Sequence, residues 1–160
     1  MIGLIIATVI FNLIALKIKK RISLSLMHQI WVFTIAFQTV FDVFVDFKYH
    51  GYWYFSKNID WQEALALFLV PPVNIVFLNY FPYKKTFMKK ILYMTGWEII
   101  LLLYEVIALL PEPWGYFHYG WWTLWHSLVI NPFLLLILLG YYKWIVKLEK
   151  RSTVSSAFKN

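Results

Sequence analysis

The chain has 160 residues, enough for one domain, and is 61% hydrophobic and 21% aromatic but only 14% charged, with a mean hydropathy of +0.63. A soluble domain of this length has too little interior to bury so much apolar surface, so the composition points to a polytopic membrane protein. The absence of cysteine excludes disulfides, thiolate metal sites and cysteine nucleophiles, and the +7 net charge sits at the ends of apolar segments, which speaks for membrane orientation and against nucleic-acid binding.

Five apolar segments follow in order. Residues 2–16 form the first and end in Lys17, Lys19, Lys20 and Arg21. A secretory signal would carry its positive charge before the apolar run and a small-residue cleavage site after it. The order here is reversed, which predicts an uncleaved helix with its N-terminus outside. Such a segment spans only roughly 22 Å, so the lysines are expected to snorkel to complete the crossing.

A second helix is predicted over 23–46, followed by an external loop over 47–60 that is rich in Tyr and Trp. Gly51 and Ser56-Lys57-Asn58 supply its turn material. The third helix, 61–81, contains Pro71-Pro72, which removes backbone donors and predicts a kink. Lys84, Lys85, Lys89 and Lys90 mark a cytoplasmic turn before a fourth helix over 91–110. The external loop PEPWGYFHYG then leads to a fifth helix over 121–146, interrupted at Pro132, and a charged tail closes the chain.

Every Lys and Arg except Lys48 and Lys57 falls in the three segments assigned to one side. That skew predicts an N-terminus outside and a C-terminus in the cytoplasm. The expected fold is all-α: an integral membrane bundle of five transmembrane helices in one domain over 1–151, with a short cytoplasmic tail over 152–160 that frays.

The polar residues gather near the outer face. Asp42 and Asp46 lie four apart and share a helix face, with Gln38 a turn earlier. Asp60, Trp61 and Glu63 open the third helix at the same level, Glu105 and Glu112 lie toward the outer end of the fourth, and His118 and His126 flank the start of the fifth. Helix ends carry acids in many proteins, and Trp and Tyr belts mark any membrane interface, so this gathering has an ordinary explanation beside a functional one. Glu98 and Glu105 are seven apart, again on one face. A charge mid-membrane costs about 2.5–3.5 kcal/mol on insertion scales, so both are expected to turn into the bundle. His28 lies at a depth similar to Glu98, which suggests a contact between them. Asn12, Asn74, Asn79 and Asn131 read as interhelical hydrogen-bond donors; Asn74 follows the Pro-Pro break, where freed carbonyls could line a cavity.

In the stretch DFKYHGYWYFSKNIDW, the proline-centred PPVNIVFLNYFPYKK and the later GWE, the chain resembles an uncharacterised family of small polytopic membrane proteins from spore-forming Gram-positive bacteria, the bacilli and clostridia. The resemblance covers helix two to helix five. It implies a bacterial cytoplasmic membrane and marks Asp42, Asp46, Asp60, Trp61, Pro72, Asn74 and Glu105 as motif positions, but implies no activity.

Three functions compete. The first is a small-ligand or cation-handling protein, with Asp42, Asp46, Asp60, Glu63, Asn74, Glu98, Glu105, His118, His126 and Trp61 forming an outer acidic and aromatic vestibule. Carboxylates attract cations and aromatic walls add cation–π attraction, so the expected ligand is small and cationic or aromatic. Proline-broken helices are compatible with transport, but five helices without an inverted repeat would need a homo-oligomer. The second is a subunit that docks a membrane partner. The third is a metal-dependent membrane enzyme using Asp42, Asp46, His118 and His126; no HExxH or phosphatase pattern accompanies them, so a non-enzymatic role is favoured. No cofactor is indicated, and nucleic acid is not an expected partner.

Overall fold

The structure, a computed structural model, describes residues 2–18, 21–56 and 63–157. Among these residues the chain is mostly helical, with one two-stranded sheet. Helix α1 (Ile2–Lys17) is apolar on all sides, with Ile5, Ile6, Val9 and Ile10 exposed, which suits a helix surrounded by lipid. Helix α2 (Leu24–Asp42) starts at Ser23, whose hydroxyl accepts from the Leu26 N–H at 3.2 Å and satisfies one of the free donors of the first turn. It continues without a break as a wider π-helical stretch, Val43–Lys48.

Beyond it, strand β1 (Tyr52–Tyr54) pairs antiparallel with β2 (Phe117–Tyr119), in the register Tyr52 with Tyr119 and Tyr54 with Phe117. The two external loops of the sequence reading are therefore joined. Both triplets are aromatic-rich, the residue class that fits a pleated, half-buried surface. Gly120 lets the backbones meet: its N–H donates to the Gly51 carbonyl at 2.8 Å, and a Cβ there would fall 2.1 Å from the His50 carbonyl oxygen.

The expected continuous helix over 61–81 is two pieces, α3 (Glu63–Ala66) and α4 (Val70–Tyr80), with a tight turn between. Pro71 and Pro72 occupy the first turn of α4, where a missing N–H costs nothing, so they start a helix instead of kinking one. The Phe68 carbonyl, which would otherwise bond the nitrogen of residue 72, accepts instead from Asn12 Nδ2 at 3.2 Å. Asn12 thus acts between helices, as its position suggested. Helix α5 (Phe87–Ala108) begins four residues before the predicted boundary, so Lys89 and Lys90 lie on its first turn. Helix α6 (Leu124–Ala157) passes through Pro132 and beyond 146 without stopping; the Lys, Leu and Glu that follow are strong helix formers.

Three rods, Leu24–Lys48, Phe87–Ala108 and Leu124–Arg151, are long and apolar enough to cross a membrane, while α1 and Ala64–Tyr80 are apolar but shorter. Helices α1 and α2 lie on α4, α5 lies on α6, and α6 joins the two groups through α2 and α4. At the end of the bundle carrying Lys17, Lys84 and Lys143, a solid cluster forms around Phe77, Ile30, Ile75, Leu78, Leu138 and Ile145. At the loop end a smaller cluster joins Leu4, Ala66, Leu69, Ala108 and Tyr116.

Candidate ligand cavity

Between the two clusters lies a cavity of about 320 Å³, bounded by α2, α4, α5 and α6. Its floor is the solid cluster, where Phe77 meets Trp97 at 5.7 Å between ring centres. One turn further along α4 the wall passes to Val73, too short to fill the same gap. The roof is the β1–β2 sheet. Side chains alternate across a sheet, so Tyr52, Tyr54 and Phe117 face the cavity, whereas Trp53 and His118 lie on the far face and stack on each other at 6.0 Å.

The walls are mainly apolar, with polar groups at the roof. Asp42 is buried on α2, and its Oδ1 accepts from the Tyr52 hydroxyl at 2.5 Å; Gln38, one turn away, also bonds its carboxylate. Across the cavity, Glu105 on α5 accepts at Oε1 from the Tyr119 hydroxyl at 2.5 Å and from Ser127 Oγ at 2.6 Å. Ser127 in turn accepts from Trp122 Nε1 at 2.8 Å. Tyr52 and Tyr119 are direct partners in the sheet. Each strand therefore delivers one tyrosine to one carboxylate, and the roof ties α2 to α5. Burial pushes the hydroxyls of Tyr52, Tyr54 and Tyr116 well above the usual tyrosine range, and Tyr119 is raised by burial and by Glu105. All four remain neutral at ordinary pH, and Tyr52 and Tyr119 act as donors.

The other sequence candidates divide. Asn74 lines the cavity and donates from Nδ2 to Thr34 Oγ1 at 3.0 Å. Glu98 is buried one layer below, outside the cavity wall; its Oε1 accepts from Asn131 Nδ2 at 3.3 Å, and its Oε2 has no partner among the described residues. Glu98 and Glu105 thus both turn toward α6, as insertion cost predicts, and Glu98 meets Asn131 while His28 is exposed. Asp46 is buried on the π-helical stretch beneath β1 and is not part of the wall. His118 is on the outer face of the roof. His126 is exposed, and its ring accepts at Nδ1 from the Thr123 N–H at 3.1 Å, closing the first turn of α6. Glu63 opens α3, and Asp60 and Trp61 lie outside the described residues. The single vestibule expected from sequence is therefore a smaller set: Asp42, Glu105 and Asn74 line one cavity, while Asp46, Glu98, His118 and His126 stand outside its wall. Among the described residues no three His, Asp or Glu are placed to share a metal ion, so Asp42, Asp46, His118 and His126 do not form the metal centre considered above.

Tyr52, Tyr119, Ser127 and Thr34 were not singled out in the sequence. The signal for the tyrosines is the aromatic triplets YWY and FHY within the two loops, a period-two pattern bounded by turn residues. Compared with known proteins, the chain matches no family model, no curated protein and no solved structure.

Proposed function

We propose that this chain is a multi-pass membrane protein that holds a small ligand within its helix bundle, in the cavity between α2, α4, α5 and α6. The observation that carries the reading is that one cavity reaches both Asp42 and Glu105, carboxylates from two different helices, beneath a common roof. Pockets that bind small molecules are mostly apolar with a few convergent polar groups, and run from roughly 300 to 1,000 Å³. A solid core between these acids would have left them as structural hydrogen-bond acceptors only.

The membrane is the bacterial cytoplasmic membrane implied by the family resemblance. The loop end faces outward and the lysine-rich end faces the cytoplasm, with α1 and the α3–α4 segment completing five passes alongside the three long rods. Because the chain has no cysteine, single-cysteine variants Lys84→Cys and Glu112→Cys report orientation directly. A membrane-impermeant thiol reagent added to intact cells is expected to label Glu112→Cys and spare Lys84→Cys; the reverse overturns the orientation.

The ligand site is tested with purified protein in lipid nanodiscs titrated with naphthalene and 1-naphthylmethylamine. Expected is a saturable component, one probe per protein, that Val73→Phe or Val70→Phe removes by filling the cavity. Since probe dissolved in lipid is the same for every variant, the absence of any difference between wild type and the filled variants overturns the reading.

A further inference from the structure

We infer that the ligand is a lipid-soluble amine: an apolar or aromatic body bearing one ammonium group, held between Asp42 and Glu105. The inference rests on the cavity being a ligand site, as proposed above.

Charge comes first. Among the described residues the wall contains two carboxylates and no Lys, Arg or His. The hydrogen bonds that Asp42 and Glu105 receive come from neutral donors: tyrosine, serine and amide. An acid in a low-dielectric site without a cationic partner is costly, and a ligand cation supplies what the protein does not. An anionic ligand would face two like charges instead. Glu105 takes both its hydrogen bonds on Oε1, so Oε2 has no protein donor among the described residues. Gln38 Oε1 is a second buried acceptor, with no hydrogen-bond partner among the described residues. An ammonium group offers donors to both.

The aromatic surroundings fit the same head group. Tyr52 and Trp122 meet edge to face at 5.6 Å, and Phe41 meets Trp122 at 6.1 Å, so ring faces and edges crowd the side of the cavity next to Asp42. Desolvated aromatic faces attract cations.

The body of the ligand is defined by the rest of the wall and by its opening. The polar groups all lie deep or under the roof. The wall residues that remain exposed, Ile100 on α5 and Ile137 on α6, are apolar and lie well inside the membrane-crossing rods. The aqueous approach is roofed by the sheet and its two tyrosine ties. A ligand reaches the cavity from the lipid, so it must partition into lipid. The volume, near the lower limit for drug-sized pockets, admits about one fused-ring body.

The test compares three probes of one shape in nanodiscs: 1-naphthylmethylamine, the neutral 1-naphthylmethanol and the anionic 1-naphthylacetate. Only binding removed by Val73→Phe is counted. Wild type is expected to bind the amine at least tenfold more tightly than the alcohol and the acetate more weakly than either, a result that needs no change at the acids. Asp42→Asn and Glu105→Gln, each nearly isosteric and checked for a retained cooperative melt, are expected to cut the preference for amine over alcohol severalfold singly and to near unity together. If the three probes bind equally in a Val73→Phe-sensitive way, or if the amine preference survives the double substitution, the ligand class is wrong while the site stands. If no probe shows Val73→Phe-sensitive binding, the site itself fails.

Discussion

Phe77 and Val73 lie about one turn apart on α4 and meet opposite surroundings. Phe77 is fully buried, ringed by Phe81, Tyr93 and Trp97, and draws α4 and α5 together. Val73 looks into a cavity, and at that end α2 and α5 are joined indirectly through Tyr52, Asp42, Tyr119 and Glu105. One end of the bundle is closed by dispersion between interlocking side chains, the other by directed hydrogen bonds around a gap. Solid packing makes a rigid base; the hydrogen-bonded end leaves room for a guest.

The largest contrast is expected from truncation. Phe77→Ala should cost about 3–5 kcal/mol, whereas Phe37→Ala in the cavity wall should cost about 1 kcal/mol, because its ring already lacks neighbours on one side. Equilibrium unfolding in mixed micelles measures both, and equal costs would erase the distinction between the ends.

Alkaline pH should weaken the loop end through Tyr52 and Tyr116. Tyr52 and Tyr116 have folded pKa values raised by burial, above an unfolded value of about 10. Their contribution is therefore complete below about pH 10 and declines as the pH rises above it. By pH 11 the loss is about 1.4 kcal/mol for each. Tyrosinate absorbance that grows for these residues only as the fold melts would agree; free ionisation in the folded protein at pH 11 would not.

Tyr52→Phe and Tyr119→Phe should each cost about 2 kcal/mol, the scale of a hydrogen bond to a charged group. As sheet partners, they should show a non-additive double mutant. Strictly additive losses would mean that the roof does not act as one unit. His118→Ala comes last, at about 0.5 kcal/mol for a stack on the outer face, with probe binding unchanged. A loss of binding there would place His118 in the site after all.

Much of the helical layout was legible because it follows from local chemistry. Serine at 23 caps α2, a lysine-rich turn precedes α5, and runs of Leu, Ile and Val mark the rods. The acid pair Glu98 and Glu105 could be turned inward from insertion cost alone. The prolines misled: the same Pro71-Pro72 that kinks a helix mid-way starts one at its first turn, and the sequence shows no difference between those positions until the end of α3 is known. The candidate site was half legible. Asp42 and Glu105 stood out as acids in apolar segments, but so did Asp46 and Glu98, which lie outside the cavity wall.

The sequence by itself determined that the chain is helical, apolar and charged at one end, because these depend on composition and on spacing within each segment. Only the tertiary structure decided that YWY and FHY pair across sixty-odd residues of chain, and that Val73 stands opposite a gap where Phe77 stands opposite a ring. Pairing and void are properties of what lies across from a residue, and hydrophobic periodicity records only which way a residue faces.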